Sequence, residues 1–279
     1  MKGALISHWT SSARVRYIRH VLPNQGMIHH TFQILDRVGE GKEQNLWKQG
    51  IRSWDSFLGA SHIKGFPRNK KAYFDRSLLA AKRALHLGDS AFFLNKLPST
   101  ETWRLWPLFK DEAVFLDIET DGVNDQAGVT VIGLFDGLRT KTMIRGINLD
   151  FSLLKAELSR YKLIITFNGS SFDIPFLKKR SDILPPVPHI DLRHCCARVG
   201  LKGGLKEIEK QLGIRRSELV EKMYGGDALT LWRMYRGSGD EHYLKLLVEY
   251  NEEDCVNLRK IMTVCYEKLQ EGLPGSINP

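Results

Sequence analysis

The clearest local signal for the fold is the segment Ala113-Val114-Phe115-Leu116-Asp117-Ile118-Glu119-Thr120. Its first four residues are apolar, which is typical of a buried strand. Side chains alternate between the two faces of a strand, so Asp117 and Glu119 are predicted to share one face. Two interpretations of this pair are open. Either the strand ends there and the acids enter a turn at Asp121-Gly122, or the two carboxylates hold a cation between them.

The residues that follow alternate between strand-like and helix-like patterns. Further strands are predicted at 129–134, 140–144 and 163–167, and helices at 151–161, 172–180, 204–212, 218–220 and 241–269. Antiparallel strands come first and strand–helix alternation follows. The predicted fold class is therefore α/β, with a mixed sheet flanked by helices.

The residues before this strand have a different pattern, with helical periodicity at 30–58 and 71–87 and a short helix from 97 onward. The predicted domains are a basic extension at 1–26, a small helical unit at 27–110, the sheet-containing domain at 111–270 and a tail at 271–279. The extension is either a transit peptide or basic arm, or a poorly structured segment before Met27.

The net charge of +9 is divided unequally along the chain. Residues 1–110 hold 18 Lys and Arg against 7 Asp and Glu, whereas residues 111–279 hold 23 against 25. The basic part indicates a polyanionic partner. An apolar content of 42% is typical of a globular chain and excludes a disordered one.

Two other classes are excluded by the pattern of residues. No apolar run approaches the ~18 residues of a membrane span, so no membrane partner is predicted. The four cysteines form no C-x-x-C pattern, which argues against a disulfide framework or a structural zinc site and for a reducing, cytoplasmic compartment.

A second acid follows a strand at Asn168-Gly169-Ser170-Ser171-Phe172-Asp173. Asn-Gly is a turn signal and a helix follows, so Asp173 is predicted near a helix N-terminus, beyond the end of a strand. There it is either an ordinary first-turn acid stabilised by the helix dipole or part of a ligand site in the crevice beyond the strand ends.

The predicted helix at 241–269 places an acid on its apolar face. That face is traced by Leu244, Leu247, Val248, Asn251, Cys255, Leu258 and Met262. Asp254 points into this stripe, Tyr250 lies one turn before it, and Glu252 and Glu253 are predicted to face solvent. A buried acid either binds a metal or pairs with a buried arginine, and both interpretations are open for Asp254.

Taken together, the order Asp-x-Glu, Asn-x-x-x-Phe-Asp and Tyr-x-x-x-Asp resembles the DEDD (DnaQ-like) superfamily of 3′–5′ exonucleases, in its Tyr subgroup. Residues 113–270 are most similar to the YprB-type ribonuclease-H-like branch, including Gly203-Gly204-Leu205-Lys206 and Asp227-Ala228-Leu229. The resemblance implies a ribonuclease-H-like fold. It also implies two bound divalent cations, Mg²⁺ or Mn²⁺, with Tyr250 orienting a water molecule. The implied ligands are Asp117, Glu119, Asp173 and Asp254.

The helical unit contains Val38-Gly39-Glu40-Gly41-Lys42, which resembles the hairpin of a helix-hairpin-helix DNA-binding motif. Gly39 and Gly41 permit a tight turn, and Lys42 and Lys48 with the backbone N–H groups are predicted to hold a phosphate. The alternative is a hairpin that only packs against the second domain. Near the acids, Asn168 and Lys179 are further candidates for nucleic-acid contact, and Arg215-Arg216 either contacts phosphates or lies at a solvated helix end.

The sequence therefore predicts a two-metal 3′–5′ exonuclease that hydrolyses phosphodiester bonds of nucleic acid. The basic unit and its hairpin favour single-stranded DNA over RNA. Two alternatives remain: a structure-specific endonuclease, since four acids do not by themselves enforce end recognition, and a nucleic-acid-binding module without turnover.

Overall fold

The computed structural model describes residues 26–124, 126–180, 182–221 and 227–273. The predicted basic extension lies outside these ranges apart from Gly26, as does the predicted tail beyond Leu273. Within the described ranges, no helix has both the length and the apolar character needed to cross a bilayer.

The described strands form one mixed sheet in the order β3-β2-β1-β4-β5. The strands are β1 (Ala113–Thr120), β2 (Val129–Phe135), β3 (Thr140–Ile144), β4 (Leu163–Thr166) and β5 (His189–Asp191). β1 pairs antiparallel with β2, and β2 with β3, whereas β4 is parallel to both β1 and β5. The predicted α/β fold with a mixed sheet is confirmed. β5 was not predicted, because three residues are too few to show a period.

Helices lie before, between and after the strands. The α-helices before the sheet are α1 (Glu40–Lys48), α2 (Trp54–Gly59), α3 (Arg68–His86) and α4 (Trp106–Phe109). Those that follow β3 are α5 (Phe151–Leu158), α6 (Asp173–Arg180), α7 (Leu192–Arg198), α8 (Leu205–Gln211), α9 (Glu218–Glu221), α10 (Asp227–Ser238) and α11 (Glu241–Glu271). Short 3₁₀ helices cover Met27–His30, Ala91–Phe93, Ser99–Leu105 and Lys110–Glu112.

The two faces of β1 contribute to different cores. Val114, Leu116 and Ile118 share a cluster with residues of α5 and α6. Phe115 belongs to a second cluster, together with residues of α7 and the C-terminal half of α11. Because faces alternate along a strand, Asp117 lies on the same face as Phe115, toward α11.

The helical unit shares its core with the sheet. Trp54, Leu78 and Trp103 belong to the same buried cluster as Phe115 and the residues of α11. Ring contacts cross between the two parts, from Trp103 to Tyr266 at 5.9 Å and from Trp106 to Phe115 at 5.8 Å. Arg198 of α7 forms an ion pair with Glu101 at 3.0 Å. The unit therefore packs against the start of β1 and the end of α11.

The turn predicted at Gly39-Glu40-Gly41 is wrong in its position. Gly39 is the N-cap of α1, and Glu40, Gly41 and Lys42 already lie in its first turn. Residues 32–38, predicted as helical, instead form turns. The buried side chain of Glu43 explains this, because it accepts hydrogen bonds from Thr31 Oγ1 and the Phe32 N–H and so holds the preceding segment back against α1.

Candidate metal centre

Three carboxylates from two elements meet on the α11 face of the sheet. Asp117 and Glu119 project from β1, and Asp254 projects from α11 toward them. One oxygen of each lies within 4.8 Å of those of the other two. Asp254 is buried and the other two are half-buried. Asp117 and Glu119 share a face of β1 because side chains alternate along a strand, and Asp254 lies in the apolar stripe of α11. Residues more than 130 positions apart in the sequence therefore meet.

A glycine in β2 allows α11 to approach this closely. Gly133 pairs with Asp117 in the β1–β2 register. A Cβ atom there would lie 2.2 Å from Asn251 Oδ1 and 2.7 Å from Cys255 Sγ, far inside contact distance. Asn251 Nδ2 in turn donates a hydrogen bond to Asp117 Oδ2 at 2.8 Å. Neither residue was predicted to have a role, although a glycine inside a strand and an amide in an apolar stripe are signals that a sequence carries.

Asp173 lies beside these three acids rather than among them. It is the first residue of α6, is buried, and accepts a hydrogen bond from the Ile118 N–H at 3.1 Å. Its carboxylate therefore contacts the strand between Asp117 and Glu119. Among the acids, histidines and cysteines that the structure describes, only Asp117, Glu119 and Asp254 form a group of three with ligand atoms within 4.8 Å of one another.

The turn before Asp173 is held by another acid, Asp191. Its carboxylate accepts hydrogen bonds from the backbone N–H groups of Asn168 at 2.8 Å, Ser170 at 3.0 Å and Arg193 at 3.0 Å. Asn168 has a φ of 61°, in the left-handed region that few non-glycine residues adopt. Asp191 thus positions the start of α6, and with it Asp173.

Burial and repulsion from neighbouring carboxylates raise the pKa of all four acids. For Asp117, burial comes first, followed by the charges of Asp254, Glu119 and Asp173. Burial and then Asp254 raise the pKa of Glu119 to about 8. Burial raises the pKa of Asp173 to about 7, although backbone hydrogen bonds act to lower it. Burial also raises the pKa of Asp254 to about 6, although the positive charge of Arg216 acts to lower it. The positive charge of Arg216 therefore compensates only part of the negative charge of the cluster.

Arg216 supplies one positive charge to the cluster. Its guanidinium forms an ion pair with Asp254, and it also holds Glu209 through two contacts, at 2.6 and 2.9 Å. All three side chains are buried, and Asn257 Nδ2 donates a further hydrogen bond to Glu209 at 3.0 Å. The buried ion pair considered for Asp254 is therefore present. The solvated helix end predicted for Arg216 is wrong, because its side chain is buried in the loop between α8 and α9. The phosphate contact stays a prediction.

The donor set fits hard divalent cations. Three carboxylates converge with that of Asp173 alongside, and Arg216, which contacts Asp254, divides its charge between that acid and Glu209. Oxygen-only sites with several carboxylates are those that Mg²⁺, Mn²⁺ and Ca²⁺ prefer. Asp117, Glu119, Asp173 and Asp254 would hold such ions.

Tyr250 lies one helical turn before Asp254 and is half-buried. Its ring is flanked by the Lys206 ammonium at 5.1 Å and the Arg216 guanidinium at 5.6 Å. Burial, and then the charges of Asp254, Glu119 and Asp117, raise the pKa of its hydroxyl. The hydroxyl therefore stays protonated at neutral pH and can donate a hydrogen bond.

The prediction that Glu252 and Glu253, which precede Asp254 on α11, face solvent is wrong. Glu252 accepts a hydrogen bond from Thr142 Oγ1 at 2.7 Å, and Glu253 accepts one from the Ser217 N–H at 3.0 Å. Both are half-buried. They tie α11 to β3 and to the segment that carries Arg216.

The residues predicted to contact nucleic acid fall into two separate groups. Asn168 lies beside the acids, where its Oδ1 accepts a hydrogen bond from Arg193 Nη1 at 2.8 Å, and Lys179 is exposed on α6. Gly39, Gly41 and Lys42 lie in the helical unit instead. Lys42 Nζ donates to the Arg37 carbonyl at 2.9 Å, so this ammonium group ties the preceding segment to α1.

Comparison with known proteins identifies the family of the sheet-containing part. No curated protein matches the chain. A family model described as the RNase_H superfamily matches residues 114–266, which is more than half of the 279 residues and includes all four acids and Tyr250. With this match and its mixed five-stranded sheet, the chain belongs to the RNase_H superfamily.

Proposed function

We propose that this protein is a two-metal 3′–5′ exonuclease of the DEDD type, in its Tyr subgroup. Membership of the RNase_H superfamily indicates a nuclease that acts on nucleic acid and uses divalent metals. The observation that carries the finer proposal is the convergence of Asp117, Glu119 and Asp254, with Asp173 alongside and Tyr250 one turn away.

Four carboxylates would hold the metal ions: Asp117, Glu119, Asp173 and Asp254. When bound, two divalent cations would activate a water molecule as nucleophile and stabilise the charge on the leaving oxygen. The protein's own part is to keep these oxygens in place. Asn251 fixes the Asp117 carboxylate by its hydrogen bond at 2.8 Å, and Arg216 restrains Asp254 from the other side.

Tyr250 orients the attacking water. Its raised pKa keeps the hydroxyl protonated, so it acts as a hydrogen-bond donor and not as a base that removes a proton. Lys206, beside the same ring, places a positive charge where a phosphate of the substrate would lie.

The helical unit supports a nucleic-acid strand as substrate. Its described residues, 26–110, contain 14 Lys and Arg against 7 Asp and Glu. Such an excess attracts phosphates without regard to sequence. We infer single-stranded DNA as the preferred substrate and retain the structure-specific endonuclease as the second candidate, because the four acids are common to both activities.

Digestion of 5′-end-labelled oligonucleotides with Mg²⁺ or Mn²⁺ tests this proposal. Single- and double-stranded DNA and RNA are compared, with Asp254→Asn as the inactive control. A ladder that shortens stepwise from the 3′ end is expected, and Tyr250→Phe should slow it about 10²-fold, the cost of a misplaced reactant. One internal cut would establish the endonuclease instead, and equal cleavage by Asp254→Asn would refute the site.

A further inference from the structure

A cavity of about 590 Å³ opens in the helical unit, lined by residues from 33–39, α3 and 92–96. We call it the α1–α3 cavity. It includes Gly39 at its edge but neither Gly41 nor Lys42. Its volume lies within the range of about 300–1,000 Å³ that is typical of ligand pockets. The side chains that characterise it are three cations and two aromatic rings, namely Arg37, Arg76, Lys96, Tyr73 and Phe92.

The charge of the cavity lining is positive. The lining contains three cations and one acid, Asp36. The Asp36 carboxylate lies 3.8 Å from the Arg37 guanidinium, and both side chains are largely exposed. Arg76 is exposed on α3 and forms no ion pair within the described part of the chain. The Lys96 ammonium lies 5.0 Å over the Phe92 ring. Two cations, Arg76 and Lys96, are thus available to a phosphate.

The aromatic rings of the cavity are placed for stacking. Tyr73 is 49% exposed, and Phe92 is half-buried, in contrast with the fully buried Phe32, Trp54 and Phe57 of the same unit. An exposed aromatic ring beside cations is the arrangement that single-stranded nucleic-acid binders use, with bases stacked on rings and the backbone held by positive charge.

Backbone strain in the described chain concentrates at this cavity and at the acids. The described non-glycine residues with positive φ are Arg37 at 58°, Asn95 at 63° and Asn168 at 61°. The first two line the cavity, and the third lies in the turn before Asp173. Strained residues cluster at functional sites, because folding alone does not favour them.

We propose that the α1–α3 cavity binds one nucleotide unit of a single-stranded nucleic acid. The base stacks on Tyr73 or Phe92, and Arg76 and Lys96 hold the adjacent phosphates. A duplex hides the faces of its bases, so only an unpaired strand can use the rings. This inference rests on the proposed function, since the strand held here is the one whose end reaches the acids.

Binding of a fluorescein-labelled oligothymidylate, followed by anisotropy in EDTA at several salt concentrations, tests the proposal without cleavage. Arg76→Ala and Lys96→Ala are each expected to make the slope of log K against log salt concentration shallower by about 0.7, the value for one phosphate of a single strand. Tyr73→Ala should weaken binding on the order of tenfold. Lys70→Ala is the matched control, because Lys70 is exposed on α3 about 120° around the helix from Arg76 and does not line the cavity.

Normal binding by all three cavity variants, or a loss as large in Lys70→Ala, would overturn the proposal. So would full competition by thymidine monophosphate, which would make this a site for free nucleotides. Cleavage with Mn²⁺ is scored separately. If the wild type cleaves and the cavity variants bind normally, the proposed binding role of the cavity is refuted but the nuclease is not. If binding depends on the cavity but no cleavage occurs, the proposed nuclease activity is refuted but the binding site is not. Melting temperatures of the variants verify that each is folded.

Discussion

At the scale of single residues, Arg216 occupies an unusual position for an arginine. It is buried between Glu209 and Asp254, so removing it leaves two buried acids without their partner. Arg216→Ala is expected to destabilise the protein by about 3–5 kcal/mol in urea unfolding, because an uncompensated buried charge is costly. The double variant Glu209→Gln/Arg216→Met should recover part of this loss. A single variant within about 1 kcal/mol of the wild type would contradict the buried ion pair.

Glu119 should make the metal-free protein less stable as the pH rises. Its pKa in the folded state, about 8, lies above its ordinary value of 4.5, so the folded protein holds a proton that the unfolded chain releases. Stability is therefore lost as the pH rises from about 4.5 through 8. Glu119→Gln removes this loss, and its advantage in EDTA should grow from near zero at low pH to on the order of 1–3 kcal/mol above pH 8.

Thermal melts across this pH range test the prediction for Glu119. Saturating Mn²⁺ should reverse the order of stability, because the wild type binds metal and the variant loses a ligand. Glu267→Gln, an exposed acid on α11, is the control and should show neither effect. An advantage of Glu119→Gln that does not change with pH would contradict the raised pKa.

At the scale of elements, the contact between β2 and α11 places Asn251 and Asp254 over β1. Gly133→Ala would drive a Cβ atom into Asn251 and Cys255. We expect a loss of about 1–3 kcal/mol, typical of overpacking in a core, together with weaker Mn²⁺ binding measured by calorimetry. Gly237→Ala in α10 is the matched control, because nothing lies within 4 Å of a Cβ atom there. Unchanged metal binding in Gly133→Ala would show that the close approach does not position the acids.

Most elements of the sheet-containing part could be predicted because each has a strong local period. The apolar start of β1 and the apolar stripe of α11 are examples, and they also place Asp117, Glu119 and Asp254 on facing surfaces. What failed was decided by tertiary contacts. Residues 32–38 have a helical period but form turns, since Glu43 binds them from α1. Arg216 could not be identified as buried, because its partner Glu209 is recognisable only in the fold.

At the scale of the whole molecule, the helical unit and the sheet share one hydrophobic cluster. Residues 111–279 alone would expose Tyr266 of α11, which Trp103 contacts, and Phe115 of β1, which Trp106 contacts. We expect that fragment to be unfolded or aggregated, as judged by circular dichroism and gel filtration, whereas a fully independent domain would melt cooperatively. A cooperative melt at the wild-type temperature would contradict the shared core.

The unequal division of charge along the sequence corresponds to two regions of the fold. The basic unit contacts α11 at Tyr266, twelve residues beyond Asp254, or about 18 Å along the helix. A strand that contacts both regions must therefore cross the surface between them. The net charge of +9 indicated only a polyanionic partner, and the structure adds that the basic unit meets α11 about 18 Å from Asp254.

The proposed function depends on a two-metal site formed by four carboxylates. Anomalous diffraction from crystals of the protein soaked in Mn²⁺ tests it most directly. We expect two peaks roughly 3.5–4 Å apart among Asp117, Glu119, Asp173 and Asp254, both lost in Asp117→Asn. Crystals without any peak at these acids, with the Arg216–Asp254 ion pair intact, would contradict it.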